Sequence, residues 1–129
     1  MNLPEELKYT KEHEWVRVEG NIATIGITDF AQGELGELVY IEVETVGETV
    51  GRDEVFGTAE AVKTTSDLFM PLTGKVVEFN SELSESEGDN PGIINEDPYG
   101  KGWIIKIEIQ DESEVDLLLD NNTYLELIA

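Results

Sequence analysis

The sequence predicts a mainly β protein, an antiparallel sandwich or flattened barrel with short helices and a helical carboxyl-terminal tail. Three observations predict it. Short apolar runs alternate with polar residues at period two, Gly, Asn, Asp and Pro punctuate those runs, and after Ile109 the apolar spacing lengthens to a helical period. Trp15 to Glu19 and Ile22 to Ile27 read as a hairpin across Gly20-Asn21. Thr28 or Asp29 can cap a short helix through Ala31 to Leu35, which Gly36 ends. From Val39 to Val43 the chain alternates, with Val39, Ile41 and Val43 on one side and Tyr40 and Glu42 on the other.

Gly51-Arg52-Asp53 is a turn, and Val55 to Ala61 with Ser66 to Leu72 form the arms of a hairpin tipped by Val62 to Thr65. Val76 to Phe79 is a further strand. The stretch from Ser81 to Pro98 is polar and rich in turn residues, so it reads mainly as loop. Trp103, Ile105, Ile107 and Ile109 alternate with Ile104, Lys106 and Glu108 in a last strand. In the tail, Ser113 can cap a helix carrying Val115, Leu118 and Leu119, and Asn122 or Thr123 can open another. The segment beginning Gly36-Glu37-Leu38-Val39 is echoed by Gly74-Lys75-Val76-Val77, an offset of 38 residues, and Lys63 lies between the two copies. A lysine at a hairpin tip between related halves projects clear of the packed surface, which suits a side chain that carries something.

Composition narrows the function classes. The 129 residues, 40% of them hydrophobic, are expected to form one domain over 1–129 with a real core and no linker. No apolar run reaches the length of a membrane span, and the amino terminus lacks the basic and apolar regions of a secretory leader. The absence of cysteine excludes disulfides, thiolate metal sites and cysteine nucleophiles, so any dithiol chemistry must come from an attached group. A cytoplasmic location fits that count. Eight basic residues against 29 acidic ones leave a net charge of −21, which repels phosphate and argues against nucleic acid as a partner. The same charge either steers the chain onto basic faces of partner enzymes or keeps it soluble and monomeric.

His13 is the sole histidine, which leaves no Ser-His-Asp arrangement or paired-histidine site, and it is expected to make a structural hydrogen bond beside Trp15. Trp15 and Trp103 are expected in the core or covering a sheet. The acidic run Ser84 to Asn90 lacks the twelve-residue spacing and closing glutamate of a calcium loop. Lys63 as a Schiff-base or general-base residue would need an apolar pocket or a cationic neighbour, whereas Glu60 and Asp67 flank it.

Tyr9-Thr10, His13-Glu14-Trp15-Val16, Ile25-Gly26-Ile27-Thr28, Ala31-Gln32, Leu35-Gly36-Glu37, Glu60-Ala61-Val62-Lys63, Ser66-Asp67, Pro71, Gly74, Asn80, Ile94-Asn95, Asp97-Pro98-Tyr99 and Gly102-Trp103 stand in order. Together they resemble the H proteins of the glycine cleavage system, from about Leu7 to the carboxyl terminus. The resemblance implies a barrel-sandwich hybrid of the lipoyl/biotinyl-carrier kind, with lipoate amide-linked to Lys63. It implies a carrier with no catalytic residue of its own, and the spacing of the acidic run gives no reason to expect a metal. The arm would collect an aminomethyl group from a pyridoxal-phosphate-dependent glycine decarboxylase and pass it to a tetrahydrofolate-dependent aminomethyltransferase. It would then deliver electrons to dihydrolipoyl dehydrogenase. A lipoate ligase or an octanoyl/lipoyl transferase would modify the lysine.

The resemblance also points to Glu14 and Asp67 as residues that hold the loaded arm in a cleft, against the alternative that both are ordinary surface acids. Three departures from the family pattern stand out: a longer acidic loop at 84–90, Ala61 in place of a common serine, and Val43-Glu44 in place of a common Leu-Pro pair. A biotinyl carrier would share the hairpin, but such carriers flank their lysine with methionine rather than Val62 and Thr64. A second reading keeps Lys63 and changes the pathway: a relay that supplies lipoyl groups to other lipoyl-dependent complexes.

Overall fold

A computed structural model describes residues 2–129. Two antiparallel sheets face each other across one main core and do not close into a barrel. The larger is ordered β1-β2-β3-β9-β8-β5 and the smaller β4-β6-β7. The strands are β1 (Lys8–Tyr9), β2 (Glu14–Glu19), β3 (Ile22–Ile27), β4 (Leu38–Glu42), β5 (Thr49–Val50), β6 (Val55–Ala61), β7 (Thr65–Phe69), β8 (Gly74–Phe79) and β9 (Ile105–Ile109). Helices α1 (Asp29–Leu35), α2 (Ile93–Glu96) and α3 (Asn121–Ile128) connect or cover them.

The expected hairpin of β2 and β3 forms with Glu19 opposite Ile22, and Gly20 supplies the left-handed residue of its turn at φ 66°. Thr28 caps α1, its hydroxyl accepting from Ala31 N–H at 3.1 Å, and Gly36 closes the helix at φ 80°. Ile25, Ile41, Phe56, Leu68, Leu72, Val76, Ile105 and Ile107 fill the space between the sheets, as alternation along the strands requires. A second, smaller cluster of Leu7, Tyr9, Trp15, Tyr99 and Tyr124 seals the tail against β1 and β2. Trp15 and Trp103 behave as expected: Trp15 is buried there and Trp103 packs beside it, under the Lys106 ammonium.

Several expectations are corrected. A bulge between Leu38 and Tyr40 breaks the alternation in β4, so Leu38 and Ile41 are buried while Val39 is 42% exposed. The stretch 81–98 is not all loop. It contains a 3₁₀ turn over Ser81–Leu83 and the short α2, which buries Ile94. In the tail, Asp111 rather than Ser113 caps a 3₁₀ segment, Glu112–Leu117, and Asp120 caps α3. Leu119 leaves the helical path to bridge Tyr9, their backbones exchanging two hydrogen bonds of 2.8 Å. No helix among the described residues is long and apolar enough to cross a membrane.

Candidate functional site

Lys63 stands where the sequence predicts, on the exposed tip between β6 and β7. The tip is narrow and anchored at its base. Ala61 N–H donates to Thr64 O at 2.7 Å, and Val62 N–H donates to Glu37 O at 3.0 Å, tying the tip to the segment just after α1. Val62 beside it is 68% exposed. The backbone of the tip is therefore fixed while the Lys63 side chain is free.

A cleft of about 350 Å³ opens along β7 just past the tip. Its walls are Ser66, Asp67 and Leu68 of β7, Phe30, Ala31, Glu34 and Leu35 of α1, Ile27 of β3, and the Glu12-His13-Glu14 corner. Four residues of extended chain, the step from Lys63 to Asp67, span at most about 14 Å. A lengthened Lys63 side chain can fold back that far. The volume lies at the small end of ligand-binding clefts and suits a slender group.

Glu14 and Asp67 thus line the same cleft, although they lie far apart in the sequence. The two acids differ in environment. Asp67 is exposed on β7, whereas Glu14 is only 2% exposed. Glu14 Oε1 accepts from the Thr10 hydroxyl at 2.6 Å, and Oε2 accepts a long bond of 3.4 Å from Phe69 N–H. Burial pushes its carboxyl up to about 8, against the pull of those two hydrogen bonds and with the charges of Glu12 and Asp53 adding to the push. Among the described residues no cation pairs with it; the ion pair they hold joins Arg52 to Asp53 at 3.5 Å.

Sequence reasoning missed three contributors. Thr10 serves Glu14 twice, its hydroxyl donating to the carboxylate and accepting from Glu14 N–H at 3.2 Å. Phe30, Ala31, Glu34 and Leu35 reach the cleft together because residues three to five apart share one face of α1, a spacing visible in the sequence. The third is the partner of His13. Its Nδ1 lies 2.7 Å from the Tyr124 hydroxyl, 111 positions away, which no local pattern announces.

Comparison with known proteins agrees with this architecture. The family described as Glycine cleavage H-protein matches residues 7–129. A "Glycine cleavage system H protein" of Bacteroides thetaiotaomicron is 54% identical over 124 residues, 96% of this chain and 95% of the relative. One of the same name from Staphylococcus haemolyticus is 52% identical over 129 residues, 100% of this chain and 99% of the relative. Among solved structures, a glycine cleavage system H protein from Mycobacterium marinum superposes with a TM-score of 0.82 at 34% identity, covering 96% of this chain and 97% of its own. A match of this length in both sequence and fold leaves one conclusion: the chain belongs to the glycine cleavage H-protein family.

Proposed function

We propose that Lys63 carries lipoate in amide linkage, and that the arm parks its loaded end in the cleft bounded by Glu14 and Asp67. Membership of the family makes the chain a lipoyl-carrier component of glycine cleavage rather than an enzyme. The observation that carries the finer reading is Glu14. A buried carboxyl without a cation, in the wall of a cleft that also includes Ser66 and Asp67 just past the hairpin tip, keeps its proton near neutrality and can give it up when a cation arrives. When attached, lipoate supplies a dithiolane able to take up an aminomethyl group and, as a dithiol, two electrons.

The protein's own residues supply the rest. Glu14 offers a carboxylate to a cationic amine where water is largely excluded, and pairing there draws its acidity back toward the ordinary carboxylate range. Asp67 adds a second negative charge at the mouth, while Phe30, Leu35, Ile27 and Leu68 give the apolar stem of an arm a dry surface. Thr10 keeps the Glu14 carboxyl aimed. The tip hydrogen bonds hold Lys63 out for docking, so that tethering raises the arm's effective concentration at each partner's active site.

On this reading residues 1–129 act as one cytoplasmic, monomeric lipoyl-carrier domain. Its partners are the pyridoxal-phosphate decarboxylase, the tetrahydrofolate-dependent aminomethyltransferase, dihydrolipoyl dehydrogenase and a lipoylating enzyme. The test is exchange of labelled bicarbonate into glycine by the decarboxylase with the lipoylated chain as acceptor. The wild type supports exchange. Lys63→Arg, folded but unable to be lipoylated, supports none; exchange with that variant overturns the proposal.

A further inference from the structure

Tyr124, in α3, is fully buried and stacks on Tyr9 with ring centroids 5.0 Å apart. Its hydroxyl meets His13 of the cleft wall at Nδ1, 2.7 Å away, and the buried Thr28 at Oγ1, 2.8 Å away. Thr28 caps α1, the helix that lends Phe30, Ala31, Glu34 and Leu35 to the cleft. His13 lines the cleft itself, its ring 5.1 Å from that of Phe30 and its backbone held at φ 73°, a left-handed conformation costly for a non-glycine residue.

The direction of this hydrogen-bond chain follows from counting donors. Thr28 is fully buried, and its oxygen already accepts from Ala31 N–H. Its hydroxyl proton must still be satisfied, and the Tyr124 oxygen is the acceptor within reach. Tyr124 then gives its own proton to His13 Nδ1, which can accept only when that nitrogen is bare. The opposite direction would leave the buried Thr28 proton without a partner. The histidine proton therefore sits on Nε2, the edge that Tyr124 does not touch.

We propose that Tyr124 is a positioning residue of the cleft: through Thr28 and His13 it ties two walls together and holds His13 as the neutral Nε2–H imidazole. The proposal rests on the reading that this cleft receives the cationic end of the arm. An imidazolium beside Glu14 would compete with that cation for the carboxylate. The acids around His13 favour the imidazolium when ionised: Glu12 on its own corner and Glu34 on α1 foremost, with Asp67 on β7 and, once it loses its proton above about pH 8, Glu14. Burial opposes them and holds His13 below its ordinary range. A hydrogen bond donated to Nδ1 adds to burial, because it stabilises the neutral ring alone.

The test uses the unmodified chain. With one histidine in the sequence, the long-range ¹H–¹⁵N spectrum of the imidazole is unambiguous. The wild type is expected to show a bare Nδ1 and a protonated Nε2 at pH 8. Tyr124→Phe, which keeps the stacked ring, should give a mixture of tautomers and a His13 midpoint higher by about half to one pH unit. Thr28→Ser, which keeps the hydroxyl, should retain the wild-type spectrum. A wild-type proton on Nδ1 overturns the proposal even if the tyrosine variant fails to fold. So does a folded Tyr124→Phe with unchanged tautomer and midpoint. Failure of Lys63 to accept lipoate would sink the carrier reading and leave these spectra as they are.

Discussion

Replacing Glu14 by Gln removes a titration that the fold makes costly, and the size of the effect follows from its burial. In the unfolded chain a glutamate ionises near 4.5; in the native cleft burial pushes it up to about 8. Between those values the native state holds a proton that the unfolded state has lost, so stability falls as pH rises through the window. Each pH unit there costs about 1.4 kcal/mol. The loss is on the order of 3 kcal/mol at pH 7 and approaches roughly 5 kcal/mol above pH 8. Below pH 4.5 it vanishes, because both states are protonated. Gln keeps the shape and an acceptor for the Thr10 hydroxyl but has nothing to ionise.

The assay is urea unfolding of wild type and Glu14→Gln, without lipoate, at pH 5, 7 and 9. The other carboxylates titrate alike in both proteins and cancel in the difference. The variant should gain on the wild type by about 4 kcal/mol between pH 5 and pH 9. Parallel stability curves, within about 1 kcal/mol across that range, would refute the reasoning that the cleft holds an uncompensated buried acid.

Two further substitutions test the scaffold. A methyl at Gly26 would lie 2.7 Å from the Trp15 indole, which packs flat over that glycine from the neighbouring strand. Gly26→Ala should therefore cost about 2–3 kcal/mol, read as a lower urea midpoint at unchanged slope. Buried Asn80 donates to Lys101 O at 2.9 Å and Trp103 O at 2.7 Å, joining the end of β8 to the approach to β9. Asn80→Ala strands both carbonyls and should cost about 3 kcal/mol in the same assay. Losses under 1 kcal/mol would count against either account.

Much of the fold was legible because local chemistry and tertiary packing agree. The β2–β3 hairpin, the Thr28 cap and the Gly36 stop each follow from residue types whose backbone demands are strong. Strict alternation failed at Val39, where a bulge inserts one extra residue and turns the valine outward. Nothing local marks α2, four residues long and preceded by Gly92 with no side-chain cap. In the tail Asp111 and Asp120, not Ser113, stand at the helix starts, because an aspartate caps as well as a serine and the pattern of residue types does not choose between them. The exposed place of Lys63 at a hairpin tip follows from its position between two repeats. The burial of Glu14 was not legible, since among 29 acidic residues nothing in the sequence marks one as enclosed. That distinction arises from contacts with residues distant in sequence, such as Phe69, and appears only when the sheets come together.

Whether Lys63 carries lipoate is decided by the intact mass of the chain before and after incubation with lipoate, ATP and a lipoate ligase, followed by peptide mapping. The expected result is the gain of one lipoyl group, placed on Lys63 and absent from a folded Lys63→Arg variant. A folded wild-type chain that gains no mass with any lipoylating enzyme, or gains it on another lysine, would show that Lys63 is not the carrier residue.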